Sequence, residues 1–221
     1  MTSGTDYHDY FIRDGRHVGR YEEMYQNCPD PWRIEELGLR LDMRAALLLL
    51  AGREGLVSRF LDAGAGLGLF SGLVAAQLWQ TNPAARGVIT DISPTAVARA
   101  AVRLADPRLD FLTLDVRSLA ANTAFPPGHF DLVVLAQALW GLLDNLDETL
   151  AALAALLPAG GLMLVSQHFP GPGRQGYGVE VVASPEDLST RLGAAGLTLL
   201  DTLETNRSTN HHWAALGRRD N

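Results

Sequence analysis

Lysine is absent from this chain: every one of its 18 basic residues is an arginine. No lysine amine is therefore on hand as a catalytic base or Schiff-base former. Cysteine occurs once, as Cys28, which excludes an intrachain disulfide and makes a reducing cytoplasm the expected compartment. Positive charge is scarce as well. With 25 acidic residues the net charge is −7, which argues against DNA or RNA as a partner. No apolar run is long enough to span a bilayer; Leu47–Leu50 is bracketed by Arg44 and Arg53, so no membrane partner is expected. No apolar leader opens the chain, where Thr2 to Asp9 is polar and expected to fray. An excess of Ala, Gly and Arg without Lys is the composition of a GC-rich bacterial gene.

What is present is a full core. The 221 residues, 47% of them hydrophobic, suffice for one α/β domain with a cap. The chain is organised around Phe60-Leu-Asp-Ala-Gly-Ala-Gly-Leu-Gly-Leu-Phe70. The apolar run Leu56–Leu61 ends in Asp62, and Gly64, Gly66 and Gly68 follow at alternate positions. Behind them Phe70, Leu73, Val74, Gln77 and Leu78 fall on one helix face. A buried strand thus turns through glycines into a helix, with bare backbone left for a ligand. The dinucleotide fingerprint G-x-G-x-x-G would need a glycine at position 69, which is Leu.

Strands and helices then alternate. Gly87–Asp91, Leu109–Leu114, Phe130–Leu135 and Leu162–His168 read as further strands, and Leu197–Thr205 with His212–Gly217 as a closing pair. Helices are expected from Glu35 to about Ala51 (Leu39, Met43, Ala46, Leu47 and Leu50 inward), from Pro94 (Val97, Ala101 and Leu104 inward), from about Asp144 (Leu146, Leu150, Leu153 and Leu157 inward) and over Pro185–Ala195. Such alternation predicts a parallel, doubly wound sheet with ligands at the carboxyl ends of its strands. Ahead of it, Tyr7–Gln26 interleaves aromatic residues with His and Arg, and the prolines of Asn27–Trp32 make a loop. We divide the chain into a helical N-terminal cap or lid, 1–54, and a ligand-binding domain, 55–221.

The string D-x-G-x-G-x-G, with Asp91 and Asp115 ending the next two strands, resembles the class I S-adenosylmethionine (SAM)-dependent methyltransferases of small-molecule type. That resemblance implies an α/β fold: a doubly wound, mostly parallel seven-stranded sheet, its last strand antiparallel beside the fifth, under a helical cap. It implies SAM as cofactor and S-adenosylhomocysteine (SAH) as product. Asp91 would take both ribose hydroxyls, Asp115 and the Val116 amide the adenine edge, and Ile92 one adenine face. Asp62, the Gly64 carbonyl and the backbone at Ala136 would surround the methionine ammonium, with Gly66 and Gly68 completing the cradle. From the cap, Tyr21, Tyr25 and Trp32 would close over cofactor and acceptor, opposite Trp140. Asp30-Pro-Trp-Arg33 resembles a segment of nodulation-type N-methyltransferases acting on amino sugars.

For the acceptor side we select His168, Gln137 and His211 as catalytic candidates. Gln137 follows the fourth strand, where the family often places an acid or Asn; it orients but takes no proton. Trp140 offers a cation–π shield or plain core packing. His168 ends the fifth strand, and an antiparallel last strand brings Asn210, His211 and His212 beside it. Adjacent His211 and His212 point to opposite strand faces, so no metal site is predicted. His129 stands at the other end of its strand and reads as structural, as does Cys28. No [D/N]-P-P-[Y/F] clamp for a flipped base follows the fourth strand. The expected function is methyl transfer to O or N of a small polar metabolite in bacterial specialised metabolism, by a monomer or homodimer. Two alternatives stay open: cyclisation or elimination with SAM as spectator, and a non-catalytic SAM-binding module.

Overall fold

A computed structural model describes residues 8–13, 16–34, 38–121, 124–171, 177–206 and 210–220. The polar start before His8, the expected helix onset at Glu35 and most of the Gly/Pro-rich loop after Pro170 lie outside them. The elements run α1 (His8–Phe11), β1 (Ile12–Arg13), β2 (Arg16–His17), α2 (Tyr21–Asn27), α3 (Leu41–Leu50), β3 (Arg59–Ala63), α4 (Leu69–Thr81), β4 (Arg86–Asp91), α5 (Pro94–Leu104), β5 (Leu109–Thr113), β6 (Leu132–Ala136), α6 (Leu146–Ala155), β7 (Leu162–Pro170), α7 (Pro185–Ala194), β8 (Leu197–Asn206) and β9 (Asn210–Arg219).

Among the described residues β3 to β9 form one seven-stranded sheet in the order β5-β4-β3-β6-β7-β9-β8. The first five pair in parallel; β9 inserts antiparallel between β7 and β8. Both faces are covered, which is why β6 is apolar at every position rather than alternating. Leu132 and Val134 pack toward α3 and α4, with Met43, Ala46, Leu50, Phe70, Val74 and Leu78. Val133 and Leu135 pack toward α6 and α7, with Leu146, Leu150, Leu188 and Leu192. The helix α3 therefore shares the core of the sheet. Cap residues Met24 and Tyr25 instead form a separate small cluster with Leu67 and Ala96.

Three local expectations shift. The strand of the glycine turn begins at Arg59; Leu56 closes a short 3₁₀ turn and is 70% exposed. On α4 Leu73 is exposed, and Gln77 reaches back to Glu54 and the Leu47 carbonyl, tying the helix to that turn. On α5 Leu104 packs inward as expected, but the fully buried residues are Ala96 and Ala100, each one position before the expected Val97 and Ala101. The reason is close approach: a Cβ at Gly68 would stand 3.0 Å from that of Ala100, so α5 presents its alanines to the glycine turn.

One carboxylate ties the cap to the sheet domain. Glu22, in the first turn of α2, accepts from Ser93 Oγ (2.5 Å), Thr95 Oγ1 (2.6 Å) and the Thr95 amide (3.1 Å) at the start of α5. Desolvation pushes this carboxyl up, but those hydrogen bonds outweigh it and hold it down at about 2.

Candidate active site

A cavity of about 540 Å³ lies at the carboxyl ends of β3, β4 and β6, beneath the cap. This is where a doubly wound sheet reverses its order and where its ligands bind. The volume falls within the range of small-molecule sites. Its floor is Asp62, Gly64, Gly66, Asp91, Ile92, Asp115 and Val116; its roof is Phe11, Tyr21, Tyr25 and Trp32. At the end beyond β6 stand Ala136, Gln137, Trp140, His168 and Tyr177.

Asp62 is buried and accepts one side-chain hydrogen bond, from Ser71 Oγ at 2.6 Å. Desolvation raises its carboxyl to about 7, Ser71 opposes that, and the nearby Asp91 adds to it. Such an acid favours a cationic ligand. Asp91 accepts from the amides of Gly66 (2.8 Å) and Ser93 (2.9 Å), which aims it across the glycine turn. Burial still raises its carboxyl. Gly66 itself has φ +56°, and a Cβ there would lie 2.7 Å from the Tyr25 hydroxyl. That hydroxyl accepts from Trp32 Nε1 at 2.9 Å, so the two cap aromatics are locked together over the turn.

Other placements depart from the linear reading. Gly68 does not line the cavity; a Cβ on it would meet Ala100 and Leu104. Asp115 lines the cavity, but Arg117 grips it bidentately at 2.9 and 2.8 Å. Desolvation raises the Asp115 carboxyl, and the Arg117 bonds outweigh this and lower it. The spacing D-x-R was the available signal for that pair. His211 is on the far face of β9 from the cavity, paired with Glu204 at 3.0 Å, because side chains alternate along a strand. His212 faces the other way and stands directly across from His168, ring centroids 5.4 Å apart. The side chain of Asn210 lies outside the described residues. His129 stacks on Phe125 at the opposite end of β6. Among the described residues no group of three His, Cys, Asp or Glu is arranged to hold a metal ion, and no helix is long and apolar enough to cross a membrane.

Linear reading missed two participants. Asp42 is fully buried on α3, where its neighbours at i+4, i+7 and i+8 are Ala46, Leu49 and Leu50. An acid in register with an apolar helix face was the signal. It receives His212 Nδ1 at 2.6 Å and the Gln137 amide. Tyr177 stacks on His17 of the cap, ring centroids 5.7 Å apart, and its hydroxyl donates to the Trp140 carbonyl at 3.2 Å. Burial raises the Tyr177 phenol to about 12, so it stays a donor.

These residues fit SAM: a near-neutral buried acid for the ammonium, a second acid over the glycine turn for the ribose, and a floor whose glycine admits no side chain. A family model described as a methyltransferase domain matches residues 61–163. Among curated proteins no sequence matches the chain. Among solved structures it is similar to the N-methyltransferase NodS from Bradyrhizobium japonicum WM9 in complex with SAH. The identity is 22% and the TM-score 0.70, over 91% of this chain and 98% of that one. It is also similar to 1,6-didemethyltoxoflavin-N1-methyltransferase from Burkholderia thailandensis (23% identity, TM-score 0.61, 82% and 79% covered). A third is the [4+2]-cyclase SpnF (18%, 0.62, 96% and 86% covered). Residues 61–163 match a methyltransferase domain, and the inserted antiparallel β9 gives the chain the fold of these solved methyltransferases.

Proposed function

We propose that the acceptor is a small polar metabolite methylated on N or O, in bacterial specialised metabolism. The observation that carries this reading is the continuity of one cavity from the acids Asp62 and Asp91 to the polar end at Gln137 and His168, roofed by cap aromatics. A site of that size takes a small molecule beside the cofactor. When bound, SAM supplies a methyl group activated by sulfonium. Asp91 would hold the ribose, Asp62 the ammonium, and Val116 the adenine edge, with Asp115 sharing its carboxylate between Arg117 and the adenine amine. Residues 8–34 would act as the lid that excludes water, since their aromatics roof the cavity and Glu22 ties them down.

At the acceptor end His168 is the proposed general base for a hydroxyl, with His212 behind it. An amine acceptor would need no base, only Gln137 and Trp140 to place it. NodS and the toxoflavin enzyme are named for N-methylation, which supports nitrogen as one of the two targets. The likeness to SpnF favours a second reading, cyclisation with SAM as a spectator. Product mass separates them. With methyl-labelled SAM, transfer places one labelled methyl on the acceptor and releases SAH in equal amount. A product of unchanged mass, with SAM intact, would replace transfer by cyclisation.

A further inference from the structure

The buried carboxylate of Asp42 is the meeting point of three elements: α3, the end of β6 and β9. His212 Nδ1 stands 2.6 Å from Oδ1, the Gln137 amide nitrogen donates to Oδ2, and Arg40 Nε lies 3.6 Å from Oδ1. Gln137 Nε2 is the donor and Asp42 Oδ2 the acceptor, which leaves Oε1 of the same amide turned away from Asp42. The backbone at Gln137 is fixed too. Its φ is +57°, a conformation costly for a residue with a side chain, and its amide donates to the Ser166 carbonyl at 2.8 Å. Gln137 lines the cavity beside Trp140 and His168, and among the described residues nothing donates to its Oε1.

We propose that Asp42 is a positioning residue that turns the Gln137 amide so that Oε1 faces the acceptor, and that this selects neutral nucleophiles carrying their own N–H or O–H. The inference rests on the methyl-transfer reading of the cavity. During transfer the nucleophile's lone pair forms the bond to the methyl carbon while the methyl–sulfur bond breaks, its electron pair leaving with sulfur. Positive charge grows on the attacking nitrogen or oxygen, its N–H or O–H becomes a stronger donor, and the hydrogen bond to Oε1 tightens. The proton then passes to His168 or to water; Gln137 takes none. A tertiary amine, an ether or a thioether leaves Oε1 unpaired and is rejected.

The test needs no knowledge of the natural acceptor. First, calorimetry of SAH with the wild-type chain checks the cofactor reading; no binding there sinks that reading alone. Second, the side-chain amide resonance of Gln137, identified by its loss in Gln137→Met, reports the bond to Asp42. It should sit away from the free-glutamine position in the wild type and move to it in Asp42→Asn. Third, matched neutral probes are bound to the SAH-loaded protein: aniline against N,N-dimethylaniline, and phenol against anisole. The donor-bearing member of each pair should bind about tenfold more tightly in the wild type, the worth of one good hydrogen bond. In Asp42→Asn the amide can reverse and the ratio should fall toward one. Gln137→Met should lose it as well, and serves if Asp42→Asn does not fold. A wild-type ratio near one, absence of binding by any probe, or a Gln137 resonance indifferent to Asp42→Asn would overturn the proposal.

Discussion

The Tyr25 hydroxyl stands over Gly66, so near that a Cβ on the glycine would come within 2.7 Å of it. Cap and cofactor turn are therefore fitted to each other at one atom. Gly66→Ala meets both this clash and a φ of +56°, and should lower stability by about 1–2 kcal/mol and weaken SAH. Tyr25→Phe removes the clashing oxygen but not the backbone cost. Combined with Gly66→Ala it should recover part of the loss, a coupling that a double-mutant cycle by thermal melts and calorimetry reads directly. Strict additivity would mean that Tyr25 does not rest on the turn in solution.

With Asp62 in the proposed place beside the ammonium, cofactor binding should be a proton-release reaction. Its folded value of about 7 lies above the ordinary 3.8, so between those values the folded chain keeps a proton that the unfolded chain has lost. Stability of the free protein should accordingly fall as pH rises through that window. An ammonium placed beside Asp62 favours the carboxylate and expels the proton. SAM and SAH affinity should rise with pH up to about 7, by at most about tenfold per unit, and then level off. Calorimetry in buffers of different ionisation enthalpy measures the released proton. Asp62→Asn should flatten the profile; an unaltered slope in that variant would assign it to another group.

Asp91 is already engaged by two backbone amides, and its remaining acceptor capacity is what a ribose diol would use. Asp91→Ala should weaken SAM and SAH alike by about 2–4 kcal/mol, since both carry the ribose. Equal binding of either ligand by the folded variant would end the assignment.

Glu22 is the tie whose release should open the cap. Because its carboxyl is held down at about 2 against an ordinary 4.5, the tie is fully present above pH 4.5 and is lost as pH falls toward 2. At neutral pH Glu22→Gln should speed hydrogen exchange at residues 8–34, and SAH should slow it in the wild type. Identical protection with and without SAH would make the cap a fixed wall rather than a lid.

His168 separates the two acceptor chemistries. For a hydroxyl acceptor His168→Ala should lower kcat by about 10²–10⁴-fold and abolish a rise in rate through the imidazole range, with SAM affinity nearly intact. For an amine the same variant should act mainly on the acceptor's KM, and the pH profile should follow the amine. Wild-type kcat with an unchanged profile would leave His168 without a part in proton transfer.

The strand–glycine–helix unit and the alternation after it were legible in the sequence, since each depends on local periodicity or on the order of elements along the chain, and so do the positions of Asp62 and Asp91 at consecutive strand ends. The antiparallel insertion of the last strand was expected only from the resemblance to the methyltransferases. Helix faces were legible to within one position, as the shift to Ala96 and Ala100 shows. What only the tertiary structure decided is direction and partnership. His211 and His212 are neighbours in sequence, yet the pairing of His212 with His168 sends one ring toward Asp42 and the other to Glu204. Asp42 and His212 are 170 residues apart, and no period in either segment announces a bond between them. A strand's side chains flip face with a one-residue change of register, and a buried carboxylate takes whichever donors the packed elements bring to it. Both are settled only when α3, β6, β7 and β9 are docked together.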